Sequence, residues 1–410
     1  MPKQRFTFVP HPVSGRPPEL CNQYVRGTDP LTGKPIVDEL VAALTSPLTA
    51  EEKKTGFQMR DPQPRLLPPD TPTNLTDLFE KNGWTDGLPI ILPTETKVAE
   101  MLKGTSHKPD EIVGTMRPSP PHEAWEFNVE MVAANAVMAG AKPEYFPVIL
   151  GLASTGVTSL FSSTTSFARM AVVNGPIIDE IGMNGGIGAM SPLSRANSTI
   201  GRAWTLISRN LGGGAIPGQT YLGSQGNGLN YNNLCFPERE EKLPAGWKPF
   251  SEQKGFKHGE SAVSTFTGWE IVHGGFLGGG GKESLARAIS RYSTGAYRQV
   301  TLLLDPIVAS DLKELGGFQT KEALSEWLLK NTPSPAQGYW RDHPDQMKQA
   351  KAGVEPFATW LKYPEGALIP ASSFWPEVPV EVIVVGGETN AFMQFGDFRH
   401  VSTASVDKWR

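Results

Sequence analysis

Two groups of residues have the types and spacing that chemistry requires. The denser one runs from Val172 to Gly214, where Asn174-Gly175-Pro176 ends a β-branched run, Gly182, Gly185, Gly186 and Gly188 follow, and Ser191-Pro192 opens an amphipathic helix. Glycine permits positive φ and close approach of a backbone to a ligand, and a first helical turn leaves N–H groups unpaired at the positive end of the dipole. Arg195 adds a planar fork suited to a carboxylate or phosphate. This pattern predicts a small anionic or polar substrate held at Ser191 to Arg195, with Asn174, Asn184 and Asn197 orienting it. The competing reading is a tight turn whose glycines serve the turn alone and whose arginines are solvated or paired.

The second group is His122, Glu126 and Glu130. On a helix from Glu123 to Ala139 their four-residue spacing brings a nitrogen and two carboxylates toward one metal ion, and it equally describes a solvated acidic face near a helix N-terminus. Proton transfer falls to His273, which ordinarily titrates near neutrality, or to Glu126. Cys235 has no neighbouring His or Cys and reads as a buried structural thiol rather than a nucleophile.

Nucleotide motifs fail. Gly186-x-Gly188-x-x-Ser191 lacks the third glycine of a dinucleotide fingerprint. His273-Gly274-Gly275-Phe276-Leu277 followed by Gly278 to Gly281, Lys282 and Glu283 has Phe276 where a phosphate loop needs glycine and Glu283 where it needs Ser or Thr, which leaves a mobile lid as its alternative role. The segments DGLPIILPT, NAVMAGAKPEYFPVIL, VVNGP, GMNGGIGAMSPLSRANSTIGRA and NLGG resemble a poorly characterised bacterial family associated with UGSC-type selenoproteins, over about residues 75 to 400. The resemblance implies an α/β enzyme-like fold working beside a separate thiol or selenol subunit. The chain departs from it in having no UGSC or CGSC segment and in carrying Ala141 where relatives have Cys.

These residues need a scaffold. Apolar runs alternate with helical patterns: strands at Glu111 to Met116, Met170 to Val173, Ser261 to Gly268, Gln299 to Leu304 and Val380 to Val385, and helices through Leu78 to Lys81, Thr96 to Leu102, Tyr145 to Ser154, Pro192 to Asn210, Glu283 to Tyr292 and Lys321 to Lys330. Leu88 to Leu92 reads as a further buried strand preceded by Asp86. On the helix from Pro192, Leu193, Ala196, Ile200, Ala203, Ile207 and Leu211 form the inward face, and Arg195, Arg202 and Arg209 an opposite stripe. The order predicts an α/β fold, a mixed, partly parallel sheet flanked by helices. Ligands collect past the carboxyl ends of such strands, which nominates Asp305, Gly386 and Glu388. Residues 1–72 are proline-rich and predict an extended N-terminal arm that wraps a second copy of the chain; 73–410 form the α/β domain, in one body or in two lobes, 73–225 and 226–410.

Composition narrows the function. A net charge of −4 with no long Lys/Arg block argues against nucleic acid. Two cysteines without CxxC spacing suit a reducing, cytoplasmic setting, and no apolar run is long enough to span a membrane. The sequence therefore predicts an enzyme for a small anionic or polar substrate, with lyase, hydrolase and reductive cleavage all open and a metal ion as the candidate cofactor. The alternative is a non-catalytic structural or binding subunit of a larger assembly.

Overall fold

A computed structural model describes residues 5–13, 16–53, 58–59, 64–116, 123–160, 167–214, 223, 225–231, 233–276, 281–292, 300–335, 340, 344–364, 366–370 and 380–410. The strands are β1 (Gln58–Met59), β2 (Ile112–Met116), β3 (Glu123–Asn128), β4 (Ala168–Asn174), β5 (Leu234–Pro237), β6 (Ala262–Gly268), β7 (Ile271–Phe276), β8 (Thr301–Leu304), β9 (Pro333–Pro335), β10 (Leu368–Pro370), β11 (Glu381–Val384), β12 (Phe392–Gly396) and β13 (Arg399–Ser405). The helices are α1 (Pro18–Arg26), α2 (Ile36–Thr45), α3 (Pro72–Lys81), α4 (Glu95–Met101), α5 (Val129–Ala139), α6 (Phe146–Ser154), α7 (Ile177–Glu180), α8 (Arg195–Asn210), α9 (Phe250–Gln253), α10 (Gly281–Tyr292), α11 (Pro306–Glu314) and α12 (Lys321–Asn331).

The expected α/β fold is present: eight strands form two four-stranded sheets, β5-β4-β6-β13 and β11-β8-β12-β7, while β1-β3-β2 form a smaller sheet and β9 pairs with β10. Side chains alternate across each strand. In the first sheet Met170, Val172, Phe236 and Phe266 face the second, where they meet Leu303, Ile383 and Val385. The opposite face, with Ala171, Val173, Cys235 and Val263, packs under α5, α6 and α8. The outer face of the second sheet, with Leu302, Leu304, Val382, Val384, Met393 and Phe395, packs under α10, α11 and α12. The layers therefore run helices, sheet, sheet, helices, and each fully buried Phe or Leu between them contributes about 1.5–3 kcal/mol.

The two sheets repeat one design. In each, a strand is joined through helices to a parallel neighbour, β4 to β5 and β8 to β11. A third strand, β6 or β12, then runs antiparallel to the first. The fourth is exchanged: Trp269-Glu270 carries the chain from β6 into β7 of the other sheet, and Asp397-Phe398 carries it from β12 back into β13 of the first. The two links touch, Asp397 Oδ1 accepting from the backbone N–H of Trp269 at 2.7 Å and of Glu270 at 3.0 Å. A Cβ on Gly268 would lie 2.8 Å from the Asp397 carbonyl, so this crossing requires glycine. The repeat shows in the sequence as Val172-Val173-Asn174-Gly175-Pro176-Ile177 against Leu303-Leu304-Asp305-Pro306-Ile307. The first sheet draws strands from both sides of residue 225, where the two expected lobes would divide.

Within the N-terminal residues lie α1 and α2, and the Arg5 guanidinium bonds Glu52 Oε1 at 2.6 Å and the carbonyls of Ala43, Ser46 and Pro47. Two expectations need correction. The helix expected from Glu123 begins only at Val129, capped by the Asn128 side chain, and Glu123–Asn128 is strand β3 against β2. Leu88 to Leu92 is extended but joins no sheet; Pro89 and Pro93 have no N–H to give a ladder.

Candidate functional site

The carboxyl ends of the parallel strands of the two halves meet. Asn174, the last residue of β4, is fully buried. Its Nδ2 donates to Glu238 Oε2 at 3.0 Å and to Glu240 Oε1 at 2.7 Å, and the Gly175 N–H donates to the same Glu240 oxygen at 2.8 Å. Among the described residues Asn174 Oδ1 meets no donor. Glu238 follows β5 and is also fully enclosed; it accepts from the Phe250 N–H at 2.6 Å and from the Val384 N–H at 3.3 Å. Its counter-ion is Lys321 Nζ at 2.5 Å, with side chains 1% and 0% exposed. Lys321 is the first residue of α12, where a cation opposes the helix dipole. The buried carboxylate accounts for its being there.

Glu240 is half-buried, and burial, with the like charge of Glu238 adding to it, pushes its carboxyl above the ordinary range against the lowering effect of the Asn174 and Gly175 donors. A carboxyl raised in this way holds its proton more firmly than an ordinary one, which suits it to proton transfer. Next to it the halves are stitched together. The Arg239 N–H donates to the Val384 carbonyl at 2.8 Å, Arg239 Nη1 to the Gly386 carbonyl at 2.6 Å, and the Gly386 N–H to the Gly185 carbonyl at 3.0 Å. Arg239 and Lys242 both reach Glu388 at 3.1 Å.

The structure brings Asn174 into this centre, sets Gly386 and Glu388 beside it through Arg239, and places the other nominated residues elsewhere. Ser191 is exposed in a turn, and the cap of α8 is Ser194, whose Oγ accepts from the Asn197 N–H at 3.3 Å. The Ser194-x-x-Asn197 spacing gives a reciprocal cap that Ser191-Pro192 cannot form, since Asn197 Oδ1 also accepts from Ser194 Oγ at 3.0 Å. Asn197 spends its amide on the carbonyls of Asn184 and Ala189, at 2.9 and 3.0 Å. Asn184 closes its own loop by accepting from the Gly186 N–H and donating to the Ile187 carbonyl. Arg195 donates to the Gly140 carbonyl at 3.1 Å, completing the carboxyl end of α5. The glycines of this loop meet the glycines after β11: a Cβ on Gly387 would lie 2.1 Å from Ile187 Cγ1. Close backbone packing thus accounts for that glycine.

The rest of the arginine stripe is also structural. Arg202 holds Asp86 with two bonds, at 2.7 and 2.9 Å, and donates to the Pro89 carbonyl, while Arg209 donates to the Gly83 carbonyl. Together they pin residues 83–89 to α8.

The metal reading loses its helical basis. Glu126 is exposed on β3, Glu130 is held by Arg65 at 2.7 and 2.9 Å, and His122 lies outside the described residues. Among the described residues no three His, Cys, Asp or Glu side chains form a metal-binding group. His273 is exposed on β7, its ring 4.9 Å from that of Phe392, with β12 and β8 between it and β11. That puts it roughly 14 Å across the sheet from the strand beside Glu238. Asp305 lies at the end of β8, both its oxygens accepting backbone N–H bonds, from Ile307 and Glu388 at 2.9 Å each. The glycines 278–280 fall outside the described residues.

Sequence reasoning missed Glu238, Glu240 and Lys321. Their signal was the charged run Glu238-Arg239-Glu240-Glu241-Lys242 directly after the apolar Leu234-Cys235-Phe236. A cleft of about 480 Å³ lies elsewhere, lined by Lys103, Ser106, Glu144, Ile177, Glu180 and Arg410, and contains none of the nominated residues. No family model, no curated protein and no solved structure matches the chain. No helix among the described residues is long and apolar enough to cross a membrane.

Proposed function

We propose that the chain is an enzyme acting on a small polar substrate at the carboxyl ends of β4 and β5, with Glu240 as the proton-transferring group and Asn174 as its partner. One observation carries this reading. Of two equivalent strand ends, Asp305 has both oxygens satisfied by backbone N–H groups, whereas Asn174, fully buried, keeps an oxygen unpartnered among the described residues beside a carboxyl of raised pKa. A buried polar atom without a partner costs about 1–3 kcal/mol. A substrate donor or a bound water recovers that energy. The thiol of Cys235 is pushed up to about 12 by burial, so it stays protonated and does not serve as a nucleophile here.

The test is a thermal-shift panel of small carboxylic acids, phosphate esters, amides and amines on the parent, Asn174→Ala and Glu240→Gln. One class should stabilise the parent, by about 2.7 kcal/mol at a hundredfold excess over Kd, and neither variant. Equal responses from all three proteins would remove the site.

A second reading, an assembly subunit, rests on α2, where Val37, Leu40, Val41 and Leu44 are 39–85% exposed at helical spacing. It predicts that a chain starting at residue 64 changes oligomeric state in light scattering; an unchanged mass would discard it.

A further inference from the structure

We propose that Lys321, supplied by the second half of the chain, is a positioning residue that fixes which way round the Asn174 amide sits and thereby couples Asn174 to Glu240. This rests on the reading of Asn174 and Glu240 as the working centre. An asparagine amide has a donor end and an acceptor end, and a carboxylate only accepts. Lys321 Nζ, 2.5 Å from Glu238 Oε1 in an enclosed site, holds Glu238 as an acceptor. Glu238 Oε2 lies against Asn174, so the amide must present Nδ2 there, at 3.0 Å. The same Nδ2 then reaches Glu240 Oε1 at 2.7 Å, and Oδ1 is left facing away from both carboxyl groups.

Without the ammonium, Glu238 becomes a buried charge with no counter-ion and takes up a proton. A protonated Glu238 can donate to Oδ1. The amide is then free to turn over, removing Nδ2 from Glu240 and engaging the oxygen that now has no donor among the described residues. The charged groups facing Glu240 are Glu238 and Lys321. Lys321 favours the charged form of Glu240 through space and Glu238 disfavours it, so losing the one and neutralising the other offset, and the coupling of the amide to Glu240 is the effect to read.

The experiment follows the Asn174 side-chain ¹⁵N signal and the Glu240 carboxyl ¹³C signal by NMR through a pH titration, without substrate, in the parent, Lys321→Arg and Lys321→Met. In the parent and Lys321→Arg the Asn174 signal should follow the Glu240 titration. In Lys321→Met it should cease to follow. If a folded Lys321→Met keeps the parental coupling, the proposal is overturned. Should that variant not fold, Glu238→Gln combined with Lys321→Met removes both charges and orphans neither. There too the amide should stop following Glu240, and persistent coupling overturns the proposal. These readouts do not depend on activity, so coupling that behaves as expected while Glu240→Gln leaves ligand response intact would reject only the proposed function.

Discussion

Replacing Lys321 by methionine tests whether the buried ion pair holds the halves together. The Nζ to Oε1 distance is 2.5 Å and both side chains are at most 1% exposed, so no solvent can replace the lost partner. Removing one member of such a pair costs about 3–5 kcal/mol, because the other group loses its counter-ion in an enclosed site and must take up a proton there. The exposed pair Arg410–Glu180, also 2.5 Å apart but with side chains 40% and 46% exposed, should lose no more than about 1 kcal/mol when broken by Arg410→Met. Distance is equal in the two cases, and Arg410→Met also gives up a pair to Asp407 at 2.7 Å, so a larger loss in Lys321→Met is set by its burial. Glu238→Gln with Lys321→Met should recover most of the loss, giving a coupling energy of at least about 2 kcal/mol in a double-mutant cycle. Urea unfolding followed by tryptophan fluorescence measures all five proteins, the single variant Glu238→Gln included. If Lys321→Met costs no more than Arg410→Met, the pair does not carry the weight assigned to it.

Arg202→Lys should cost about 1.5–3 kcal/mol, since lysine cannot reproduce the two bonds to Asp86, and amide exchange should quicken at residues 86–92 while α8 stays protected. Gly387→Ala should cost about 1–3 kcal/mol because its Cβ would lie 2.8 Å from the Ile187 Cα, and Ile187→Ala should rescue only part of this, as the backbone clash remains; thermal melts of the pair and the singles decide it. Burial, with Lys254 nearby, lowers the His400 imidazole from 6.5 to about 4. The unfolded chain therefore binds the extra proton between those values, so stability is full above about pH 6.5 and falls as pH drops toward 4. In His400→Phe the slope of unfolding free energy against pH should flatten in that window; an unaltered slope would mean that His400 is not neutral in the fold.

Local chemistry made much of this structure legible. The β-branched run before Asn174, the amphipathic period of α8 and the alternation of β6 each fix an element through residues close in sequence. Legibility fails where two periods coincide: Trp125 and Val129 suit a helix, yet Trp125 and Phe127 also alternate as a strand, and the Asn128 cap hides between them. The glycine-rich loop was read as a cradle for a ligand. Its neighbour is Gly386-Gly387, some two hundred residues further along the chain, a separation that no local pattern reveals. Glu238 and Lys321 are 83 residues apart, and only the topology makes them partners.

The strand exchange carries one more expectation. An N-terminal fragment, 1–292, contains β4, β5 and β6 but lacks β13, which covers the edge of its sheet; it also holds β7, whose partner β12 lies in the other fragment. A C-terminal fragment, 293–410, has the converse defect, with β8, β11 and β12 lacking β7 while β13 has no β6. Each fragment would also expose the inner face of its own sheet, Met170, Val172, Phe236 and Phe266 in one and Leu303, Ile383 and Val385 in the other. At about 1.5–3 kcal/mol per side chain, that exposure removes an amount comparable to the roughly 5–15 kcal/mol that ordinarily separates folded from unfolded chains. Neither fragment should show native near-UV circular dichroism or a cooperative melt alone, and mixing them should restore both. A single fragment that melts cooperatively would show that its half is stable without the strand it receives, and the exchange would then be a feature of connection, with no part in holding the fold.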